Sequence, residues 1–105
     1  MRQLAQLLLT IVFLTPTLLY ASVSEGEITS SVSSSDDFST YKASFVSATS
    51  KLIDKGVCTL ADFKEMGGWV KSQNHKAQPV YFTYCGGMHI KNRIYLDASS
   101  GKLFR

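Results

Sequence analysis

The sequence contains two cysteines, Cys58 and Cys85, which lie 27 residues apart. In a small exported chain, an even number of cysteines predicts a disulfide framework, and two cysteines permit one bridge. Closing a loop of this length stabilises the folded state by about 3.5 kcal/mol, because the cross-link restricts the unfolded chain. A cross-link of this strength is a large share of the stability of so small a domain.

The N-terminus provides the reason to expect an oxidising compartment. Arg2 is followed by an apolar run, Leu4–Leu19, that contains Pro16, and Ala21 follows shortly after. This order is typical of a cleavable signal peptide, and we expect cleavage after Ala21. The alternative is a permanent anchor, but the run is shorter than the about 20 residues of a spanning helix. We therefore predict a secreted protein, periplasmic or extracellular, with no membrane span after cleavage.

The sequence divides into three segments. Residues 1–21 are the predicted signal peptide. Residues 22–38 are mainly Ser, Thr, Glu and Asp, and Val23, Ile28 and Val32 are too sparse to form an apolar face, so this composition predicts an acidic, Ser-rich spacer. Residues 39–105 are the predicted disulfide-stapled domain.

Two helices are predicted at the start of the domain. Apolar residues recur at steps of three and four from Phe38 to Ile53, which indicates one buried helix face, and Gly56 follows as a terminator. Thr59 and Asp62 come close to a capping box and open a second helix. The buried side of that helix would consist of Leu60, Phe63 and Met66.

The C-terminal residues predict a sheet. The run from Pro79 to Cys85 is β-branched and aromatic, and a second run from Met88 to Asp97 follows the pair Gly86 and Gly87, which predicts a tight hairpin. Residues 69–72 are a candidate edge strand, and a last strand follows Gly101. The predicted fold is α+β: two helices followed by a three- or four-stranded antiparallel β-meander, with one disulfide.

Residue patterns that support catalysis or metal binding are sparse. Oxidised cysteines cannot act as nucleophiles beside His75 or His89, and no close Cys or His pair indicates zinc. The domain has four acidic residues for a hydrolytic pair, and three of them fall on helix positions that look solvated. We therefore predict a non-enzymatic protein without a metal or cofactor.

Basic and aromatic residues concentrate in the C-terminal part. Residues 41–105 carry ten Lys and Arg against four acids, about +6, whereas residues 22–40 carry four acids and no base. Such a surface favours anionic partners, although scattered lysines also serve solubility alone and the rings also suit a core. The candidate binding residues are Trp69, Lys71, His75, Lys76, Tyr81, Tyr84, Lys91, Arg93 and Tyr95.

The closing segment, residues 93–104, ends a strand in Asp97 and places a Ser-Ser-Gly turn before the last strand. This segment resembles the final hairpin of PepSY-type domains, where a D-x-x-T-G-like turn occurs and where Thr is usual at the position of Ser100. The resemblance implies a small exported domain of helix and antiparallel sheet that inhibits peptidases or binds proteins. The disulfide and residues 67–69 depart from the family pattern, and we transfer no functional residue.

These observations predict a small exported protein-binding module whose partner is another exported or envelope protein. One version of this prediction is that the module acts as an inhibitor. One alternative is a secreted toxin or effector that binds an anionic lipid or glycan of the envelope. Another is an accessory component of an envelope-spanning secretion or conjugation system. Nucleic acid is not expected to be the partner.

Overall fold

The computed structural model describes residues 23–105, so the signal peptide predicted over residues 1–21 lies outside the described part. Three helices come first: α1 Glu25–Ser31, α2 Phe38–Asp54 and α3 Leu60–Met66. Four strands follow: β1 Val70–Lys71, β2 Val80–Tyr84, β3 Arg93–Asp97 and β4 Lys102–Phe104. The strands form one antiparallel sheet in the order β1-β2-β3-β4, so the predicted α+β meander is confirmed.

The core lies between the helices and the inner face of the sheet. Side chains alternate along a strand, so Thr83, Ile94 and Leu96 turn towards the helices and are buried. The ring of Trp69 stacks on Phe45 with centroids 6.3 Å apart. The helices contribute a further set of buried residues: Ala48, Thr49, Leu52 and Phe63.

Two of the predicted binding residues belong to this core. Trp69 is 0% exposed, and its Nε1 donates a hydrogen bond of 3.1 Å to Thr49 Oγ1. Tyr81 is 1% exposed, and its hydroxyl donates to Asp37 Oδ2 at 2.6 Å. The prediction that Trp69 and Tyr81 form part of a binding surface is therefore wrong, because both rings are needed to fill the space beneath α2.

Helix α2 ends as its sequence predicts. Gly56 has φ +74°, and its N–H donates to the carbonyl of Ile53 while the N–H of Val57 donates to that of Leu52. These two hydrogen bonds satisfy carbonyl groups at the end of the helix. They form only when the chain adopts a left-handed conformation at Gly56, which glycine does without strain.

Residues 22–38 were predicted to form a spacer, and the structure corrects this. Ser24 and Glu27 form a reciprocal capping box that starts α1. Ile28 is 5% exposed and Val32 is 0% exposed, because both pack against the domain. Composition predicted a linker because two apolar residues are too few for a stable isolated helix. They are enough here because both are buried by tertiary packing.

The segment after α1 covers the outer edge of β1. The N–H of Trp69 donates to Ser35 Oγ at 2.8 Å, and the N–H of Asp36 donates to the carbonyl of Trp69 at 2.9 Å. The N–H of Lys71 donates to Asp36 Oδ2 at 2.7 Å. The edge of a sheet exposes unpaired backbone groups, so residues 35–36 satisfy those of β1 in place of a fifth strand.

The disulfide between Cys58 and Cys85 is confirmed, with Cα atoms 5.2 Å apart. Cys58 stands just before α3 and Cys85 just after β2, so the bond joins the helical layer to the sheet. Asp62 Oδ1 strengthens this junction by accepting a hydrogen bond of 3.2 Å from the N–H of Gly86.

The predicted tight hairpin at Gly86 and Gly87 is wrong. The two strands are joined by a longer loop that contains a 3-10 turn, Ile90–Asn92, and β3 begins only at Arg93. Asn92 Nδ2 donates to the carbonyls of both glycines, at 3.0 and 3.2 Å, and thereby closes the loop. Ile90 is consequently 73% exposed and does not share the buried face of β3.

We expect the double substitution Cys58→Ser and Cys85→Ser to lower the free energy of unfolding by about 3.5 kcal/mol, because the loop of 27 residues is no longer closed in the unfolded chain. Urea unfolding of the mature protein, with and without reductant, measures this difference. Equal midpoints for the oxidised and reduced protein would contradict the prediction.

We expect Ser35→Ala to lower the free energy of unfolding by about 1–3 kcal/mol, because the buried N–H of Trp69 loses its acceptor. Ser34→Ala is the matched control, since Ser34 is an exposed neighbour in the same segment. If residues 22–38 were only a spacer, both substitutions would leave the unfolding curve unchanged.

Candidate functional site

The sheet has a second face, directed away from the helices. Cross-strand register aligns four residues in one row over the four strands: Val70, Phe82, Tyr95 and Phe104. Tyr84 and Arg93 form a neighbouring pair on the same face. We call these six residues the outer sheet face. All are half-buried, and none belongs to the buried core cluster.

The aromatic rings of the outer sheet face touch one another. The N–H of Cys85 donates to the carbonyl of Asn92, so the pair of Phe82 and Tyr95 occupies a non-hydrogen-bonded position, where side chains approach most closely. Their ring centroids are 6.2 Å apart. Tyr95 also stacks on Phe104 at 5.3 Å. The result is a continuous aromatic surface that the strands hold in place.

Arg93 lies within this aromatic surface. Its guanidinium carbon is 4.1 Å from the centroid of Phe82 and 5.0 Å from that of Tyr84. Nε and Nη2 donate to the hydroxyl of Tyr84, and Nη1 donates to that of Tyr95 at 3.3 Å. Hydrogen bonds to Tyr95 and Tyr84 raise the pKa of Arg93 above its usual value. No bond of Arg93 within residues 23–105 involves a carboxylate.

The polar loop between β1 and β2 folds against one end of the outer sheet face. His75 packs edge-on against Tyr95 at 5.5 Å and Phe104 at 6.2 Å. The Oγ of Ser72 is 2.9 Å from His75 Nδ1. Lys71 Nζ donates to the carbonyls of His75 and Gln78, which fixes the loop. His75 therefore extends the aromatic surface.

The loop between β2 and β3 exposes two large apolar side chains that the sequence analysis did not select. Met88 is 64% exposed and Ile90 is 73% exposed. The loop follows Tyr84 on one side and precedes Arg93 on the other. Apolar residues directly after a Gly-Gly pair were the available signal, but the sequence analysis assigned them to a strand.

Charge divides between the two layers of the molecule. Residues 23–69, which contain the helices, carry four Lys and seven acids, a net charge of −3. Residues 70–105, which contain the sheet, carry six Lys and Arg and one acid, a net charge of +5. The sheet half therefore attracts negatively charged partners, and the helical half does not.

The predicted binding residues fall into three groups. Tyr84, Arg93, Tyr95 and His75 are brought together on or beside the outer sheet face. Lys76 and Lys91 are exposed on its flanking loops, while Lys71 is held by backbone carbonyls. Trp69 and Tyr81 lie in the core. The sequence analysis missed Phe82 and Phe104, because alternation alone did not tell which face of the sheet the helices cover.

A separate groove of about 840 Å³ lies between α1 and α2. Hydroxyl groups line much of it, and its two cations, Lys42 and Lys51, are balanced by Glu25 and Asp54. This lining favours no single class of ligand. Residues 23–105 also contain no cluster of three or more His, Cys, Asp or Glu side chains that could hold a metal ion.

No helix in the described part of the chain combines the length and the apolar character that crossing a membrane requires. Comparison with protein-family models, with curated proteins and with solved structures finds no match to this chain. The resemblance of residues 93–104 to PepSY-type domains therefore stays a prediction. Its turn is formed by Asp97, which accepts from the N–H and hydroxyl of Ser99 at 3.0 and 2.6 Å.

We expect the free energy of unfolding to fall at low pH as the carboxylate of Asp62 becomes protonated. Asp62 accepts a hydrogen bond from the base of the loop that carries Met88 and Ile90. Burial raises the pKa of Asp62, but hydrogen bonds from Thr59 and Gly86 outweigh it, and the pKa lies below its usual value. A lowered pKa in the folded state stabilises the protein above the unfolded value of about 3.9, and the stabilisation disappears as pH falls through the folded value.

Urea unfolding between about pH 6 and pH 2 measures this effect. Asp62→Asn should flatten the pH dependence relative to the native protein. Glu65 is an exposed carboxylate on the same helix, so Glu65→Gln is the control. This variant should keep the dependence of the free energy of unfolding on pH that the native protein shows. A slope that survives in Asp62→Asn would show that other carboxyl groups produce it.

Proposed function

We propose that this protein is a small exported binding module, without catalytic activity of its own, that docks onto an acidic protein of the envelope or the extracellular space. The outer sheet face and the loop of Met88 and Ile90 are the surface that makes the contact. In the inhibitor-like form of this proposal, the partner is a peptidase, which only the PepSY resemblance favours.

The outer sheet face is the observation that supports this proposal. A sheet face in a two-layer domain ordinarily faces water and carries polar side chains. Here it carries four aromatic rings and one arginine instead. Tyr, Phe, Met and Arg are enriched at protein interfaces, where rigid rings contribute contact area at low conformational cost.

The geometry also suits a partner that arrives with negative charge. The net charge of +5 on the sheet half increases the rate of encounter with an acidic surface, and the aromatic rings then provide the apolar contact. Catalysis would need an accessible nucleophile or base beside a cleft. The outer sheet face carries neither a carboxylate nor a free thiol, and Ser72, whose Oγ lies 2.9 Å from His75 Nδ1, is only 2% exposed.

A second candidate function is binding to an anionic envelope surface, as a toxin or effector would do. The observation that favours it is the exposed pair Met88 and Ile90, which lie on one loop with Lys91 directly after them. Apolar side chains that enter the interface and flanking cations that meet anionic headgroups act together at membranes.

We expect the double substitution Tyr95→Ser and Phe104→Ser to weaken partner binding about tenfold or more, because central aromatic contacts dominate interface energetics. The measurement is titration calorimetry of the mature protein with a partner first captured from envelope extract and then purified. Circular dichroism checks that the variant is folded.

Lys42→Ser and Ser47→Ala, on the exposed side of α2, are the control and should keep full affinity. Equal affinity of the Tyr95 and Phe104 variant would refute the proposed surface. Salt-sensitive binding to phosphatidylglycerol vesicles, lost in Met88→Ser and Ile90→Ser and without any protein partner, would favour the second candidate instead.

A further inference from the structure

We propose that Arg93 is a carboxylate-binding site that receives an Asp or Glu side chain of the partner protein. The inference rests on the proposed function of the outer sheet face and names the chemistry that this face selects. The ligand is an acidic segment in which the carboxylate has apolar or aromatic neighbours.

The guanidinium of Arg93 is held in place before any partner arrives. Tyr84 accepts from Nε and Nη2, Tyr95 accepts from Nη1, and Phe82 lies under the guanidinium plane at 4.1 Å. A long side chain normally loses rotamer freedom when it binds, and this loss weakens binding. Arg93 loses this freedom when the protein folds, so its guanidinium group already has a fixed orientation before a ligand binds.

The charge of Arg93 has no anionic partner in residues 23–105. Its bonds go to two neutral phenols, and the groups that raise its pKa are Tyr95 and Tyr84, with no carboxylate among them. Of the five guanidinium N–H groups, three are used in these bonds, which leaves one on each terminal nitrogen. Two donors on one plane match the two oxygens of a carboxylate.

The surroundings distinguish a carboxylate from a phosphate. A phosphate group carries about −1.5 to −2 charges, and proteins recognise it with clusters of arginines. The outer sheet face has one arginine, and its other members are Val70, Phe82, Tyr84, Tyr95 and Phe104. One cation among rings suits one negative charge flanked by apolar groups.

Arg93 also lies where the two parts of the surface meet. It is the first residue of β3, between the exposed loop and the aromatic row, and is three residues beyond Ile90. A segment that crosses from the loop to Tyr95 and Phe104 would pass over its guanidinium. The carboxylate therefore sets the register in which the partner lies on the face.

Two peptides test the proposal, acetyl-Phe-Glu-Leu-Glu-Phe-amide and the same peptide with Gln in place of both Glu. Nitrogen-15 NMR of the mature protein follows the Nε–H of Arg93 and the backbone signals of Tyr95 and Phe104. We expect the Glu peptide to shift all of these signals. The Gln peptide should bind about tenfold or more weakly, since a neutral amide cannot pair with the cation.

Variants of the protein separate Arg93 from general charge. Arg93→Gln should weaken the Glu peptide about tenfold or more, and Arg93→Lys should not restore full affinity, because an ammonium group lacks the planar fork. Arg105→Gln removes an exposed arginine near the same face and should change affinity less than about twofold. Dispersed spectra show that each variant is folded.

The proposal is overturned by equal binding of the Glu and Gln peptides, by unchanged affinity of Arg93→Gln, or by the absence of any shift at peptide concentrations up to about 10 mM. Larger shifts of the Arg93 signal with inorganic phosphate or phosphatidylglycerol vesicles than with the Glu peptide would likewise refute it. If purified partner loses affinity in Tyr95→Ser and Phe104→Ser but not in Arg93→Gln, the proposed function stands and the carboxylate site fails.

Discussion

The bond between Cys58 and Cys85 cross-links the helical layer to the sheet, and it stabilises the domain by restricting the unfolded chain. It connects the start of α3 to the end of β2, and the hydrogen bond from the N–H of Gly86 to Asp62 is a second contact at the same junction. Because β3 begins after the loop that this junction anchors, the position of Arg93 depends on it as well. Stability and the geometry of the candidate site therefore share one covalent constraint.

The second constraint is that helices pack on only one face of the sheet. Helices α2 and α3 cover that face, α1 packs against these two helices, and the aromatic residues of the other face pack among themselves and on Arg93. The charge of the two layers follows the same division, −3 in the helical half and +5 in the sheet half. The exposed surface of the helices is therefore acidic, and the sheet face that no helix covers, where the proposed partner would dock, is basic.

Sequence patterns worked where local chemistry decides the structure and were wrong where distant residues decide it. The end of α2 at Gly56 and the capping of α3 by Thr59 and Asp62 depend on neighbours in the chain, and both were predictable. Ser35 is structural because its hydroxyl accepts a hydrogen bond from the N–H of Trp69, 34 residues away, whereas composition alone placed Ser35 in a spacer. Similarly, Asn92 closes a loop that the two glycines alone suggested was a tight hairpin.

By itself the sequence determined the α+β class, the order of the last two helices and the strands, and the pairing of the only two cysteines, because periodicity, caps and cysteine number are properties of the chain. Only the tertiary structure decided which aromatic rings are covered. Alternation puts Tyr81 and Phe82 on opposite faces of β2, but it does not say on which face the helices pack. Because the helices pack on the face that carries Tyr81, Trp69 and Tyr81 are buried, and Tyr84, Arg93 and Tyr95 lie on the face that no helix covers.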